Sequence, residues 1–200
     1  MALNYNEGLT ERKTLRNKLL IICGLSFSGK STLGKAITER FGYEEVDVDD
    51  TKFQLYGQSI KDEDLNPDDW VRIYTETDKL IENNLKSGKT VVDASRNFRK
   101  VERDIARSIA DKVGVPMVTI FVDTPEGIVR QRMPENRRKP SRRDITDKDF
   151  EEAIMAMEPP VAAENPLIFH YLDEIESWLL ENTAILAPIT LSNRGRVPPG

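Results

Sequence analysis

The sequence is short of the features that mark secreted and membrane-spanning proteins. Cys23 is the only cysteine, so the chain can form neither an internal disulfide nor a cysteine metal cluster. The longest apolar run near the N-terminus is Leu19 to Cys23, which is far too short to cross a bilayer. No apolar segment with a cleavage site precedes it, so we recognise no secretory signal. These absences predict a cytoplasmic protein with no membrane partner.

A strong overall charge is also lacking. The formal net charge of −5 provides no general attraction for nucleic acid, whose binding depends on basic contacts to phosphate. The charges are unevenly distributed along the chain. Residues 44–69 contain ten acids against two lysines, whereas residues 130–143 contain seven bases against one acid. Such blocks are commonly solvated faces, so they become informative only beside a motif.

Apolar patterning predicts one α/β domain. The 200 residues, of which 38% are hydrophobic, fit a single globular domain. Short apolar runs alternate with segments of helical spacing, which implies right-handed crossovers and a parallel sheet covered by helices on both faces. The predicted strands cover residues 19–23, 45–49, 90–93, 117–122 and 168–170, and the predicted helices cover 31–41, 68–85, 101–113 and 172–180, with one more starting near 123–126.

The two ends of the chain are less clearly patterned. Residues 1–17 are polar and are predicted to form a loose arm, and residues 18–182 form the domain. Residues 183–200 are predicted to form a flexible C-terminal tail.

A phosphate-binding motif follows the first predicted strand. Residues 24–31 read G-L-S-F-S-G-K-S and match the pattern G-x-x-x-x-G-K-[S/T]. The glycines let the backbone form a nest of N–H groups that point at phosphate oxygens, and the following helix adds the positive end of its dipole. Lys30 is expected to reach the β- and γ-phosphates, and the Ser31 hydroxyl to take one place on Mg²⁺. We therefore predict ATP and Mg²⁺ as cofactors, with a nucleotide site formed by Gly24, Ser26, Phe27, Ser28, Gly29, Lys30, Ser31 and Thr32.

Signatures of other P-loop proteins are missing. Asn17-Lys18 is followed by two leucines and does not complete a guanine-binding N-K-x-D motif, and no L-S-G-G-Q transporter signature occurs. The chain is also too short for a hexameric motor module with its lid subdomain. A small kinase remains, which would move the γ-phosphate of ATP to a hydroxyl group of another molecule.

Five segments in a fixed order resemble one group of small kinases. They are the phosphate loop, 49–52 (D-D-T-K), 91–97 (V-V-D-A-S-R-N), the arginine-rich segment after 122–125, and 157–160 (M-E-P-P) followed by Glu164. Together they are similar to the P-loop kinase family around the 5′-kinase domain of polynucleotide kinase, zeta toxin and chloramphenicol phosphotransferase. The resemblance covers about residues 18–180. It implies the P-loop NTPase fold, a three-layer α/β/α sandwich with a five-stranded parallel sheet and an arginine-rich lid, here at about 130–146.

The resemblance also implies an acid that takes the proton of the acceptor hydroxyl. Asp49 matches this position, and an acid at the carboxyl end of a strand faces the ligand crevice of an open α/β sheet. Asp47 is the alternative because it lies on the same face of the predicted strand, and both could instead be surface acids. Lys52 matches a basic position that contacts the acceptor in some relatives, although lysine lacks the bidentate geometry of arginine.

The same resemblance suggests a metal-binding carboxylate. Asp93 matches the acid that holds Mg²⁺ through water or positions the acceptor, and Ser31 would be its companion ligand. Asp123 is the alternative because a longer apolar run precedes it, although it could also cap the helix that follows.

Arginines in the predicted lid complete the proposed catalytic set. Arg132, Arg137 and Arg138 are expected to join Lys30 and Asp49, since guanidinium groups would neutralise charge on the transferred phosphoryl oxygens. Repulsion among the like charges of residues 130–143 predicts a lid that is mobile until nucleotide binds.

Outside the lid, Arg96 could contact either substrate or form a surface salt bridge. A structural role is predicted for the only histidine, His170. The neighbouring rings of Trp70 and Tyr74 are expected to pack in the core rather than to stack on a base.

Three functions are consistent with these features. A kinase for a small hydroxyl compound is favoured, because the acidic block surrounds the acceptor side implied by the resemblance and would repel a polyanion. The alternatives are a nucleic-acid 5′-hydroxyl kinase and a regulatory module that binds ATP without an acceptor. The sequence leaves the acceptor's identity and the oligomeric state open.

Overall fold

The computed structural model of the protein describes residues 14–139 and 145–191. Its strands are β1 (Thr14–Arg16), β2 (Leu19–Cys23), β3 (Glu44–Glu45), β4 (Val91–Asp93), β5 (Met117–Asp123), β6 (Leu167–His170) and β7 (Ile189–Leu191). Its α-helices are α1 (Lys30–Phe41), α2 (Val48–Tyr56), α3 (Pro67–Lys86), α4 (Lys100–Val113), α5 (Glu126–Arg138), α6 (Asp147–Ala156), α7 (Ile175–Glu181) and α8 (Thr183–Leu186). Short 3-10 turns lie at Asp62–Asp64 and Ala162–Glu164.

Five of these strands form one parallel sheet, in the order β3-β4-β2-β5-β6. β2 lies at the centre and pairs with β4 on one side and β5 on the other. All five of its residues are fully buried, which is typical of a parallel strand that is covered on both faces. The predicted fold class and the five-stranded parallel sheet are confirmed. The phosphate loop leaves the sheet at its central strand.

Helices cover the sheet on both faces. Because side chains alternate along a strand, β2 contributes to two separate cores. One core joins Leu20 and Ile22 to residues of α1, α7 and α8, namely Leu33, Ile37, Trp178, Leu179 and Leu186. The other core joins Leu19 and Ile21 to residues of α3 and α4, namely Ile81, Leu85, Ala106, Ile109 and Ala110.

The strand predicted over residues 45–49 is wrong for most of its length. β3 ends at Glu45, and α2 begins at Val48. The Asp47 side chain accepts a hydrogen bond from the Asp49 N–H at 2.6 Å, which is the N-cap arrangement that starts a helix. The valines at 46 and 48 alternate as in a strand, but the cap and the acids in the first turn stabilise a helix. Asp49 therefore lies in the first turn of a helix and does not end a strand.

The described part of the predicted flexible tail has regular structure. Residues 183–191 contain α8 and β7, and β7 pairs antiparallel with β1. Lys18, which is 2% exposed, holds this segment by donating hydrogen bonds to the carbonyl oxygens of Ile185 and Ala187. The sequence did not indicate this contact because its partners are backbone atoms far along the chain. Residues 1–13 and 192–200, the rest of the predicted arm and tail, lie outside the described residues.

No helix in the described ranges is both long enough and apolar enough to cross a membrane.

Candidate active site

The phosphate loop joins the end of β2 to the start of α1. Gly29 has a φ of 113° and is the N-cap of α1, and Gly24 has a φ of 146°. A Cβ atom at Gly24 would lie 2.7 Å from the carbonyl oxygen of Val122 in β5, a distance that real Cβ atoms do not adopt. Glycine is thus required at position 24 both by its backbone angle and by the neighbouring strand.

The side chain of Lys30 folds back over the backbone at the start of the phosphate loop. Lys30 Nζ donates to the carbonyl oxygens of Gly24 and Leu25, at 2.9 Å each. Ser31 and Thr32 are exposed in the first turn of α1, where their N–H groups have no partner within the helix. The loop therefore presents a cation and a helix N-terminus on the same side, which is an arrangement suited to a polyphosphate.

Phe27 and Ser28 form the tip of the loop. Phe27 has a φ of 63° and is only 6% exposed. Ser28 is also buried, and its Oγ makes no hydrogen bond within the described part of the chain. The Ser28 carbonyl oxygen accepts a hydrogen bond from Thr124 Oγ1 at 2.9 Å. The tip is thus held from behind by the residue that follows β5.

Asp47 and Asp49 lie at the start of α2. The side chain of Asp49 is 48% exposed and pairs with the fully buried ammonium of Lys52. Asp47 is more enclosed, and burial raises the pKa of its carboxyl to about 6, with the charges of Asp49, Asp50 and Asp93 adding to the effect and the Asp49 N–H opposing it. The two acids therefore differ in environment although they are two residues apart.

Asp93 is completely buried at the end of β4, beside the central strand. One of its carboxylate oxygens accepts hydrogen bonds from the N–H and the Oγ of Ser95, at 3.2 and 3.0 Å. The other oxygen accepts from Arg96 Nε at 3.1 Å and from Asn97 Nδ2 at 3.0 Å. Ser95 Oγ also accepts the N–H of Val48 at 3.1 Å. Asp93 thus organises the loop after β4 and links it to the start of α2.

The alternative acid, Asp123, has a different partner from the one expected. Its carboxylate lies 3.3 Å from Nδ1 of His170 on the neighbouring strand β6. The residue that caps α5 is Pro125, with no side-chain hydrogen bond, so the predicted capping role of Asp123 is wrong.

The described arginines of the predicted lid divide into two groups. Arg132 Nη1 donates to the carbonyl oxygens of Phe27 and Ser28, at 3.1 and 3.0 Å. Arg130 and Arg137 instead pair with acids of α5 and α6, and Arg138 is exposed on the last turn of α5. The acidic partners are Glu126 and Glu151 for Arg130, and Asp147 for Arg137.

These pairs change the expectation for the lid. Counting charges inside residues 130–143 predicted strong repulsion, but the compensating acids come from outside that segment. Residues 126–138 form the predicted helix, α5, which contains Pro134. Arg142 and Arg143 lie outside the described residues. Ordering of the lid by nucleotide stays a prediction.

The rings of Trp70 and Tyr74 are not in either core. They lie 5.8 Å apart and pack against the side chains of Lys52 and Arg96. Lys52 Nζ is 5.7 Å from the Trp70 ring and 5.0 Å from the Phe53 ring, and the Arg96 guanidinium is 5.9 Å from the Tyr74 ring. The core-packing interpretation is corrected, because buried cations occupy the space beside these rings.

Sequence reasoning missed the role of Arg103 in this region. Arg103 is 1% exposed and forms a two-point ion pair with Glu164, at 2.7 and 3.0 Å. Its third nitrogen donates to the carbonyl oxygens of Asn97 and Glu158, at 3.2 and 2.9 Å. The pair ties the loop after Asp93 to the segment that follows α6. The motif M-E-P-P followed by Glu164 was the available signal, but its partner lies 61 residues away.

Comparisons with known proteins fit this geometry. A family model described as an AAA domain (AAA_33) matches residues 19–160. This range contains the phosphate loop, the acids Asp47, Asp49 and Asp93, and the helices α5 and α6. The chain belongs to this family of P-loop kinases.

Curated proteins with sequences similar to this P-loop kinase are named adenylyl-sulfate kinases. The one from Saccharomyces cerevisiae is 30% identical over 165 residues, which are 77% of this chain and 78% of that kinase. The one from Emericella nidulans is 29% identical over 185 residues, which are 83% of this chain and 85% of that kinase. The sequence resemblance is thus confirmed for the P-loop kinase family, although these relatives differ from the three members that the motifs suggested.

A solved structure shows the same fold. The Mycobacterium tuberculosis APS kinase CysC, in complex with AMPPNP and APS, superposes on this P-loop kinase with a TM-score of 0.63. The match covers 86% of this chain and 98% of that chain at 18% identity.

Proposed function

We propose that the protein is an ATP-dependent phosphotransferase that moves the γ-phosphate of ATP to a hydroxyl group of a neutral or cationic small molecule. The observation that carries this proposal is that the phosphate loop after β2, Asp93 at the end of β4, and the start of α2 after β3 all lie at the carboxyl edge of the same parallel sheet. One side offers a nest, a helix N-terminus and Lys30, which suit a triphosphate. The adjoining side offers a partly exposed carboxylate, which suits a hydroxyl donor.

The nucleotide would occupy the loop formed by Gly24, Ser26 to Thr32 and their N–H groups. Lys30 now donates to two loop carbonyl oxygens, and it would exchange them for β- and γ-phosphate oxygens. Arg132 lies close enough to the loop to support it from α5. Arg137 would have to leave Asp147 and the Ile145 carbonyl oxygen to contact the phosphates, whereas Arg138 is exposed on the last turn of α5.

The oxygen ligands at the site fit Mg²⁺. A hydroxyl and a carboxylate are hard ligands, and Mg²⁺ characteristically takes few protein ligands while keeping waters and phosphate oxygens. Ser31 would contribute its hydroxyl directly. Asp93 already accepts four hydrogen bonds, so it would contribute its charge through water. Bound Mg²⁺ would neutralise charge on the β- and γ-phosphates.

Asp49 is proposed as the general base. In the reaction, the bond between the β–γ bridging oxygen and the γ-phosphorus breaks, and a bond forms between the acceptor oxygen and that phosphorus. The acceptor's proton passes to the Asp49 carboxylate, and ADP leaves. Asp47 supports this role because its carboxylate accepts the Asp49 N–H and fixes the first turn of α2.

The proposed acceptor class rests on the charges beside Asp49. Two buried cations beside Asp49, Lys52 and Arg96, are each paired with two carboxylates and each lie beside at least one aromatic ring. These carboxylates are Asp49 and Asp62 for Lys52, and Asp78 and Asp93 for Arg96. An anionic acceptor would have to displace a buried ion pair, which is costly. A neutral polyol or an amine-bearing sugar would meet carboxylates and ring faces without that cost.

This acceptor class differs from the substrate in the names of the curated relatives. Adenylyl sulfate is an anion, and the relatives are named for acting on it. A nucleic-acid 5′-hydroxyl carries still more negative charge, so it is disfavoured on the same ground.

The test is transfer of labelled γ-phosphate from ATP to a panel of acceptors. The panel contains sugars, amino sugars, nucleosides, adenylyl sulfate and 5′-hydroxyl oligonucleotides. The proposal predicts that a neutral or cationic compound is the most efficient acceptor. Adenylyl sulfate or an oligonucleotide as the best acceptor would overturn the acceptor class, and ATP binding without transfer to any acceptor would favour a regulatory module.

A further inference from the structure

A bulky residue occupies a position in the phosphate loop where glycine would be easier to accommodate. Phe27 has a φ of 63°, and this left-handed region disfavours large side chains. The nest requires such an angle so that successive N–H groups converge on an anion. Phenylalanine at this position therefore stores backbone strain that another interaction must offset.

The Phe27 ring supplies that interaction by entering a separate apolar cluster. It packs with Val129 and Met133 of α5 and with Phe150 of α6, all of which are buried. The Phe27 and Phe150 rings meet edge to face, with centroids 5.9 Å apart and planes at 61°, a favourable geometry for aromatic pairs. The tip of the loop is thus docked on α5 and α6.

The backbone of the same tip is attached to the same region. Arg132 of α5 donates to the carbonyl oxygens of Phe27 and Ser28, and Thr124 donates to that of Ser28. The Ser28 carbonyl oxygen belongs to the same peptide unit as the Gly29 N–H of the nest, and the Phe27 carbonyl oxygen to the same peptide unit as the Ser28 N–H, which closes a turn onto the Leu25 carbonyl oxygen. A shift of α5 or α6 would therefore move the donors that face the nucleotide.

We propose that Phe27 is a positioning residue that couples the phosphate loop to α5 and α6, so that docking of Phe150 is a condition for tight nucleotide binding. The inference rests on the proposed binding of ATP at this loop. When α6 is undocked, the strain at Phe27 is no longer offset and the nest loses its fixed form. Because linkage is reciprocal, bound nucleotide must in turn stabilise the docking of α6.

The decisive variant is Phe150→Ala, because Phe150 lies outside the phosphate loop. Calorimetry should show a dissociation constant for Mg·ATP that is about tenfold higher than in the wild type. If the alanine variant folds poorly, Phe150→Leu is measured instead. It keeps an apolar side chain but loses the ring contact with Phe27, so the dissociation constant should rise by a smaller factor. The matched control is Phe169→Leu, which changes a buried phenylalanine that packs on Trp178 in another cluster and should leave ATP affinity unchanged.

Two further measurements separate coupling from general loss of stability. The double variant Phe27→Gly with Phe150→Ala should bind ATP no more weakly than Phe27→Gly alone, because the contact is already absent. Hydrogen exchange in residues 147–156 should slow on addition of a non-hydrolysable ATP analogue in the wild type but not in Phe27→Gly.

The outcomes distinguish this inference from the proposed function. Unchanged ATP affinity in Phe150→Ala, or fully additive effects in the double variant, would overturn the coupling while leaving the ATP site intact. ATP binding that is insensitive to Lys30→Ala would instead remove the premise that the nucleotide binds at this loop.

Discussion

At the scale of single residues, the start of α2 holds two acids with different environments. Asp47 is enclosed and caps the helix, whereas Asp49 is half exposed and pairs with Lys52. The distinction follows from the N-cap itself, because the capping carboxylate turns back toward the backbone. The carboxylate of Asp49, in the first turn of the helix, instead points toward Lys52 and is half exposed.

Replacement of Asp49 by asparagine should therefore remove the base. We expect turnover to fall by roughly 10²–10⁴, the usual contribution of a positioned acid or base, while the dissociation constant for ATP changes little. Steady-state kinetics and calorimetry measure the two quantities. Asp47→Asn is the control, since asparagine caps a helix as well as aspartate does, and it should cost only severalfold. A larger loss in Asp47→Asn would assign the base to Asp47.

The raised pKa of Asp47 predicts a pH dependence. Burial raises this pKa to about 6, so the carboxyl is neutral below that pH and charged above it. The charged carboxylate holds the Asp49 N–H, and with it the first turn of α2, more firmly than the neutral carboxyl does, so turnover should fall severalfold as the pH drops through about 6. A pH profile of Asp47→Asn should lack this step and match the acid limit of the wild type. A step that persists in the variant would assign it to another group.

At the scale of elements, one face of α5 contacts the phosphate loop and another face carries surface ion pairs. The sequence does not show which residues belong to which face. The buried side chains of α5, Val129 and Met133, dock on the loop, and Arg132 reaches the loop carbonyl oxygens. The helix also carries exposed arginines that pair with acids of its own first turn and of α6. The direction of Arg132 depends on where α5 lies in three dimensions, and periodicity alone does not provide this.

Removal of the Arg132 guanidinium should weaken nucleotide binding. We expect the dissociation constant for ATP to rise about tenfold in Arg132→Ala, because hydrogen bonds from a charged group contribute about 1.5–3 kcal/mol. Arg130→Ala is the matched control on the same helix, and its exposed ion pairs should contribute little. A loss confined to turnover, with unchanged ATP affinity, would contradict the loop-holding role and support a direct contact with the transferred phosphoryl group.

At the scale of the whole molecule, the alternation of apolar runs was enough to predict the architecture. The buried strands 19–23 and 117–122 and the helix ending at Gly42 were correctly placed, because their signals are local. β3 and α2 were not, because Asp47 can end an alternating pattern or cap a helix. The contacts of Arg103 and Lys18 were also missed, since each joins segments that are distant along the chain.

The Arg103 and Glu164 pair should be important for stability. Both side chains are buried, at 1% and 8% exposure, and the hydrogen bonds from Arg103 hold the pKa of Glu164 below its usual value. Truncating one partner leaves an uncompensated buried charge, so Arg103→Ala should lower the free energy of unfolding by about 3–5 kcal/mol. Chemical denaturation would measure this loss. Arg99→Ala, whose pair with Glu102 is more exposed, should cost less than about 1 kcal/mol.

Calorimetric titration of Mg·ATP into the wild type and into Lys30→Ala tests whether nucleotide binds at the phosphate loop. Lys35→Ala is the control, because Lys35 lies on the same helix in an exposed pair with Glu39. We expect Mg·ATP to bind to the wild type and to Lys35→Ala, and the affinity to fall by orders of magnitude in Lys30→Ala. Tight ATP binding that survives Lys30→Ala would contradict a nucleotide site at the phosphate loop.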